Sequence, residues 1–187
     1  MNLLYKYRSI ENFRFFADII LKQRLFAALY SDLNDPMEGR YLYHGSQSMD
    51  KDVERILNGK KNKVRIVSLS RNQDNELMWA HYANGHRGVA VGVEVNKAHY
   101  DVRPIIYDGI LSFGTAGWST KAEDILMHKN EIWSYEEEER IFITNGEFAN
   151  VRIREVVCGR KMSNQDFGFI RELVDRLSTD VLVRRRQ

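Results

Sequence analysis

The chain is short of the residues that cross-link a fold or divide it into parts. Its 187 residues include one cysteine and two prolines. With Cys158 alone, no intrachain disulfide can form, and a structural zinc site would have to use histidine and carboxylate ligands. There is also no internal repeat and no linker-like stretch, so the sequence predicts one domain with its own buried core.

Long apolar runs are missing as well. No window approaches the ~18 apolar residues that a membrane-spanning helix needs. The first eight residues lack the apolar stretch of a secretory signal. We therefore expect a cytoplasmic protein that has no membrane partner.

No charge of one sign dominates the chain. Its 28 lysines and arginines are balanced by 26 acidic residues, which leaves a formal net charge of +2. This balance predicts no general attraction to nucleic acid or to anionic membranes. The one concentrated run, Arg184-Arg185-Arg186, is typical of a solvated basic tail, which we place at 179–187.

Hydrophobic periodicity predicts an α+β fold, because strands and helices follow one another irregularly rather than in strict alternation. Helices are predicted at 13–23, 50–57, 76–82, 121–128 and 164–177, with Asn75 as an N-cap. Strands are predicted at 3–7, 25–30, 64–70, 89–95, 105–107, 138–144 and 151–158. We expect these strands to pair in a mixed or antiparallel manner, with two packed sheets as one arrangement.

Four stretches carry more polar and aromatic side chains than packing alone requires. They are Tyr5-Lys6-Tyr7-Arg8, Asn34-Asp35-Pro36-Met37-Glu38, Ser68-Leu69-Ser70 followed by Asn75-Glu76-Leu77-Met78-Trp79-Ala80-His81-Tyr82, and Trp133-Ser134-Tyr135-Glu136-Glu137-Glu138-Glu139-Arg140. In this order they resemble a widespread bacterial family of uncharacterised proteins, domain of unknown function 2971, over residues 3 to about 143. The resemblance leaves out the predicted strand and helix at 151–178, and the family name implies no activity.

The motif order also resembles that of arginine-serine-glutamate ADP-ribosyltransferases, which implies NAD as the substrate of a toxin or defence effector. A guanidinium such as Arg8 matches diphosphate oxygens bidentately, and the Ser68 hydroxyl would hold the strand that cradles nicotinamide. The Glu138 carboxylate would stabilise positive charge while the glycosidic bond breaks. Glu136 is placed on the same strand face and would deprotonate an acceptor. This interpretation requires Arg8, Ser68 and Glu138 to line one cleft in a split pair of sheets.

Further side chains in the four stretches are predicted to contact the dinucleotide. Aromatic rings among them suit stacking on nicotinamide or adenine. The predicted ligand-binding residues are Tyr5, Tyr7, Asn34, Asp35, Glu38, Ser70, Trp79, His81, Tyr82, Trp133, Tyr135 and Arg140. Each motif also has a structural alternative: Asn34-Asp35-Pro36 is typical of a turn, the two tryptophans suit a core, and the carboxylates at 136–139 suit a solvated surface.

Two other classes of function stay open. His81 and His86 would converge with Asp35, Glu38 or Glu94 on a divalent ion in a metal-dependent nuclease or other hydrolase. A non-catalytic module would use the same polar residues only to bind a ligand or a protein. The acceptor, protein or nucleic acid, also stays open, as does the face on which each carboxylate of 136–139 lies, because a one-residue shift in strand register exchanges the faces.

Overall fold

The computed structural model describes residues 3–45, 48–114, 121–178 and 180–187. The helices are α1 (Phe13–Lys22), α2 (Lys51–Lys61), α3 (Glu76–Tyr82), α4 (Ala122–Ile125) and α5 (Asn164–Leu177), with 3₁₀ turns at Tyr30–Asp32 and Glu131–Glu136. The strands are β1 (Leu4–Arg8), β2 (Arg24–Phe26), β3 (Ala28–Leu29), β4 (Tyr41–Tyr43), β5 (Arg65–Ser70), β6 (Val89–Glu94), β7 (Asp101–Pro104), β8 (Leu111–Phe113), β9 (Glu138–Ile143), β10 (Phe148–Asn150), β11 (Arg152–Cys158) and β12 (Leu182–Arg185). None of the helices in these ranges is long and apolar enough to cross a bilayer.

Most strands form one eight-stranded sheet, and the predicted α+β class is confirmed. The strand order is β12-β11-β6-β1-β5-β9-β7, and β3 also pairs with β5. All of these neighbours are antiparallel except β11 and β12, which run parallel. Two small pairs, β2 with β10 and β4 with β8, lie outside the main sheet.

The main sheet opens between β1 and β5. These strands pair at a single position, Tyr5 opposite Ser70, whereas β5 pairs with β9 along its whole length. At the start of β5 the same edge is taken by β3, which pairs at Arg65 and Ile66. The sheet therefore divides into two wings, which we call the β1 wing (β12, β11, β6, β1) and the β5 wing (β3, β5, β9, β7).

The two faces of the sheet are covered by different helices. On β1, Leu4 belongs to the large apolar core that includes Phe16 of α1 and Ile170 of α5. Tyr5 and its neighbours on the other face pack in a smaller cluster around Trp79 of α3. Because side chains alternate along a strand, each position on β1 and β9 can be assigned to the α1 face or to the α3 face.

The predicted solvated tail is wrong. The chain from Leu182 to Arg185 forms the edge strand β12 beside β11, and residue 179 lies outside the described part of the chain. Arg184 donates from Nε to Glu155 at 2.8 Å. Arg186 is buried, with its guanidinium 5.3 Å from the Trp79 ring centre and 2.9 Å from the Glu76 carboxylate. The arginines are therefore paired residues of the fold, which a run of like charges does not reveal from sequence.

Four predicted elements differ from the structure, and the first is the helix predicted at 50–57, which continues to Lys61 as α2. The strand at 25–30 is broken into β2 and β3 before a 3₁₀ turn, and the strand at 105–107 is replaced by β7 just before it, with Ile106 only bridging to His128. The helix at 121–128 shortens to α4. Short apolar runs do not fix their own ends, since pairing with distant segments decides where each strand stops.

Candidate functional site

A cavity of about 230 Å³ lies where β1 and β5 diverge. Strand residues from both wings, Tyr82 of α3 and the turn after Asp32 form its walls. It brings together ten of the residues predicted from sequence. These are Tyr5, Tyr7, Asn34, Glu38, Ser68, Ser70, Tyr82, Glu136, Glu138 and Arg140.

Five charged side chains at this cavity form a buried ionic cluster. Lys129 donates from Nζ to Glu136 at 2.5 Å and to Glu138 at 3.2 Å. Arg140 donates from Nε to Glu138 at 2.8 Å and also pairs with Glu38. Both oxygens of Glu138 therefore accept hydrogen bonds from cations. All five side chains are buried, so they are largely shielded from solvent. We call Glu38, Lys129, Glu136, Glu138 and Arg140 the ionic cluster.

Glu136 and Glu138 converge through a backbone reversal. The sequence placed both on one strand, but Glu136 ends a 3₁₀ turn and Glu138 begins β9. Glu137 between them has a left-handed conformation, with φ of 44°. Its carboxylate accepts a hydrogen bond from Asn72 instead, while Glu139 pairs with Lys97 at the surface. The predicted convergence of Glu136 and Glu138 is thus present, although strand alternation is not its cause.

Burial and neighbouring charge act against each other in the ionic cluster. Burial raises the pKa of Glu138, and Lys129 and the Ser68 hydroxyl oppose that rise. Burial alone would lower the pKa of Lys129, but Glu138 and Glu136 outweigh it, so its pKa stands above the ordinary value. Burial, then the hydrogen bond to Glu136, raises the pKa of Tyr82. The cluster is therefore an interlocked set in which each charge depends on its partners.

Arg8 does not line the cavity, contrary to the sequence prediction. It shares the α1 face with Leu4, and its guanidinium lies 5.2 Å from the centre of the Phe15 ring. Ile141 of β9 belongs to the α1-face core. Glu138 is three residues earlier on the same strand and therefore faces the opposite side of the sheet. The predicted trio is thus reduced to Ser68 and Glu138, because the Arg8 side chain lies against Phe15 and not at the gap between the wings.

Lys6 lines the cavity instead, although no role was predicted for it from sequence. It shares the strand face of Arg8, but its amine lies at the gap between the wings. Its Nζ donates to the backbone oxygen of Ser68 at 3.0 Å, across the gap between the wings. Burial, then the charge of Arg8, lowers the pKa of Lys6 to about 8. A lysine within a short aromatic strand was the available signal, because that strand had to pair on both sides and leave the amine little room in water.

Three of the predicted aromatic ligands are tied to the protein. Trp79 is fully buried, and its indole N–H donates to the Gln73 oxygen at 2.7 Å. Tyr5 donates to Glu155 at 2.8 Å and Tyr7 to the Asn72 oxygen at 2.7 Å, although both rings border the cavity. Trp79 therefore has the core role that was its structural alternative.

Besides Arg8 and Trp79, four predicted residues lie outside the cavity walls, namely Asp35, His81, Trp133 and Tyr135. Asp35 is buried in its turn, where Oδ1 accepts from the backbone N–H of Met37 at 2.9 Å. The other three stand beside the cavity at the surface: the Trp133 ring lies 5.0 Å from Nζ of Lys129, and Tyr135 lies 6.3 Å from His81. The structure thus gives Asp35 a turn role and gives the three rings no direct place in the pocket.

The residues of the metal alternative do not converge. His86 is buried beside Glu76, with Nε2 at 3.5 Å, while His81 is exposed near Tyr135. Glu94 pairs with Arg154, and Glu38 belongs to the ionic cluster. Within the described ranges, no three histidine, cysteine, aspartate or glutamate side chains form a group able to hold a metal ion.

The chain was compared with protein-family models, with curated proteins and with solved structures, and none of the three comparisons found a match. The resemblance to domain of unknown function 2971 and to ADP-ribosyltransferases therefore stays a prediction from the motifs.

Proposed function

We propose that the chain is an NAD-consuming enzyme of the ADP-ribosyltransferase type, which holds the nicotinamide and its ribose in the cavity between the wings. The observation that carries the proposal is the ionic cluster around that cavity. Buried ion pairs lose much of their attraction to the cost of desolvation, and apolar side chains of similar size often stabilise a fold equally well. Five buried charges that line a cavity are therefore better explained by a role in binding or reacting with a ligand than by a role in stability.

The chemical step uses the carboxylates of the cluster. In NAD, the nicotinamide nitrogen is positively charged while it is bonded to C1 of the ribose. When that bond breaks, the bonding electron pair leaves with nicotinamide, and the positive charge passes to the ribose ring. The Glu138 carboxylate stabilises this charge by electrostatic attraction. An acceptor then bonds to C1, and Glu136 receives the proton that the acceptor loses.

The cavity sets a limit on the pose of the substrate. Its volume of about 230 Å³ is below the ~300–1,000 Å³ typical of sites that enclose a drug-sized ligand. It accommodates the reacting end of the dinucleotide, and the remainder lies outside. Arg8, which points to the α1 face, has no part in this proposal.

A second candidate is a non-catalytic receptor for the same ligand. It is favoured by the full engagement of Glu138, whose two oxygens already accept hydrogen bonds from Lys129 and Arg140. A carboxylate held in this way is a weaker electrostatic partner for a developing cation. Binding of NAD without turnover would select this candidate.

The test compares Glu138→Gln with Glu139→Gln. The first change keeps the shape and removes the charge that faces the cavity, whereas the second removes a carboxylate that points to Lys97 at the surface. We expect Glu138→Gln to slow nicotinamide release about 10²–10³-fold, by analogy with loss of one oxyanion-hole donor. We expect Glu139→Gln to stay within about twofold of the wild type, because this carboxylate does not line the cavity and its partner is the exposed Lys97. Nicotinamide release from NAD, followed by chromatography, gives both rates.

Nicotinamide release at equal rates from the wild type and Glu138→Gln would overturn the proposal. Circular dichroism and thermal unfolding of both variants show whether a lost rate reflects a lost fold. Calorimetric binding of NAD to a wild type that releases no nicotinamide would leave the receptor as the function.

A further inference from the structure

Lys6 is the one cavity lysine that the proposed function does not use. Its Nζ makes a hydrogen bond to the Ser68 backbone oxygen, and within the described ranges no carboxylate lies within 4.0 Å of it. Lys129 in the same cavity pairs with two carboxylates. A desolvated ammonium without a counter-ion is costly, so Lys6 holds its proton less firmly than an exposed lysine does.

Neighbouring charge acts in the same direction. Arg8 is the next residue on the same face of β1, and its positive charge disfavours a second cation beside it. Glu138 and Glu136 oppose the effect, but they are already committed to Lys129. The other charged groups that line the cavity are Asp32, Glu38 and Arg140. Burial and then Arg8 lower the pKa of Lys6 to about 8, which leaves roughly a tenth of the amine neutral at pH 7.

We propose that Lys6 is a nucleophile that captures a small aldehyde in the cavity as an imine. Burial and an adjacent cation are the two devices by which a lysine side chain is made nucleophilic, and here both act on an amine that borders an open space. The chemical class of the ligand follows from the group, because a neutral primary amine reacts with a carbonyl carbon without any other reagent. Imine formation at Lys6 takes place in the same cavity as the bond cleavage assigned to Glu138, but it does not require that cleavage.

The reaction balances without an oxidant or a reductant. The lone pair of Nζ bonds to the carbonyl carbon, and the oxygen gains a proton as the nitrogen loses one, which gives a carbinolamine. The oxygen then accepts a second proton and leaves as water, while the nitrogen lone pair forms the carbon–nitrogen double bond, which gives a protonated imine. Loss of the remaining N–H proton gives the neutral imine and returns the proton that was taken up. Glu136 and Glu138 line the same cavity and are the groups that carry these protons.

The experiment traps the imine in the wild-type chain. Protein is incubated with glycolaldehyde and sodium cyanoborohydride between pH 6.5 and 10, and modification of each lysine is followed by peptide mass spectrometry. Lys51, exposed on α2, is the internal reference. At pH 7.5 an amine with a pKa near 8 has on the order of 100 times more neutral form than one near 10.5. We expect Lys6 to react ten- to a hundredfold faster than Lys51, with a midpoint near pH 8.

Two variants separate the site from general reactivity. Lys6→Arg keeps the positive charge and removes the nucleophile, so modification at this position disappears while Lys51 still reacts. Arg8→Met removes the neighbouring cation, so the midpoint at Lys6 moves to higher pH. Reaction of Lys6 no faster than Lys51, or with the pH dependence of an ordinary lysine, would overturn the proposal even if NAD turnover is confirmed. Capture at Lys6 by a chain that does not consume NAD would uphold it alone.

Discussion

Two lysines in one cavity show how local surroundings decide the behaviour of a residue type. Lys129 lies against two carboxylates, which raise its pKa, whereas burial and then the charge of Arg8 lower the pKa of Lys6 to about 8. Both are lysines in polar, aromatic motifs of the sequence. Only the partners supplied by folding distinguish a structural cation from a reactive amine.

Lys6 should make stability depend on pH in a defined direction. Its pKa is about 8 in the folded chain and near the ordinary 10.5 when unfolded. Between these values the unfolded state binds more protons, so stability rises with pH. The destabilisation caused by protonated Lys6 in the folded chain is fully present below pH 8. It is relieved as the pH rises from 8 towards 10.5. We expect the unfolding free energy of the wild type, relative to Lys6→Met, to rise by at most about 3 kcal/mol over this window.

Urea titrations of both proteins at pH 7, 8.5 and 10 measure this difference. Subtracting the Lys6→Met curve removes the contribution of the other lysines and tyrosines. A difference that stays flat, or that falls with pH, would show that Lys6 is hydrated in the folded chain.

Helix α3 connects the cavity to the second layer of the protein. Asn75 caps it, because Oδ1 accepts from the N–H groups of Leu77 at 2.9 Å and Met78 at 3.2 Å. The same side chain donates from Nδ2 to the backbone oxygen of Tyr135 at 3.0 Å. That oxygen belongs to the 3₁₀ turn that ends at Glu136. One amide therefore fixes both the start of α3 and the turn that positions a cavity carboxylate.

Substitution of Asn75 can separate these two tasks. Asn75→Ala removes both and should destabilise the chain by about 1–2 kcal/mol. Asn75→Asp keeps the cap and loses only the donor to Tyr135, so it should recover most of that stability while altering the turn. Ser163→Ala is the control, because Ser163 caps α5 through Asp166 and has no bond to the turn.

Thermal unfolding gives the stability of the three variants. The rate of nicotinamide release shows whether the 3₁₀ turn still positions Glu136. Asn75→Asp with wild-type stability and reduced turnover would support the second task. Equal turnover in Asn75→Asp and the wild type would show that the Tyr135 contact is not needed to position Glu136.

At the scale of the whole molecule, the C-terminal strand closes the β1 wing. Arg186 joins it to the loop before α3 through Glu76 and the Asp74 backbone oxygen. Arg176, by contrast, is an exposed partner of Glu172 on α5. The two arginines have similar chemistry and lie ten positions apart, which makes them a matched pair for measuring what burial adds.

Arg186→Ala should cost about 1.5–3 kcal/mol, the range for hydrogen bonds to charged groups, because a buried guanidinium and its hydrogen bonds to Glu76 and the Asp74 oxygen are lost. Arg176→Ala should cost less than about 0.5 kcal/mol, as exposed i,i+4 pairs do. Chemical denaturation of both variants gives the comparison. Equal losses would indicate that residues 182–187 leave the sheet easily in solution.

The sequence was a reliable guide where local chemistry decides structure. Helix α5 matches its predicted ends because Ile170 and Val174 repeat at helical spacing and Ser163 caps it. The cap at Asn75 and the presence of Ser68 and Glu138 in one cavity also agree with expectation.

The remaining features depend on contacts between distant segments. Arg8 was assigned to the cavity because it ends the first strand, but the face of a residue depends on which neighbours that strand packs against. The edge strand β12 was missed because three arginines resemble a solvated run until Glu155 and Glu76 are placed beside them. Lys6 was overlooked for the same reason, since its lack of a carboxylate partner is a property of the fold alone.

The single backbone pairing between Tyr5 and Ser70 has a mechanical consequence. At this seam the halves of the sheet are joined mainly by side chains, such as the Lys6 amine on the Ser68 oxygen. A molecule bound at this seam could contact both strands and so add links between β1 and β5, which otherwise share a single paired position. A bound ligand would therefore hold the two wings together as well as occupy the cavity. Slower amide hydrogen exchange in β1 and β5 on ligand binding would show this.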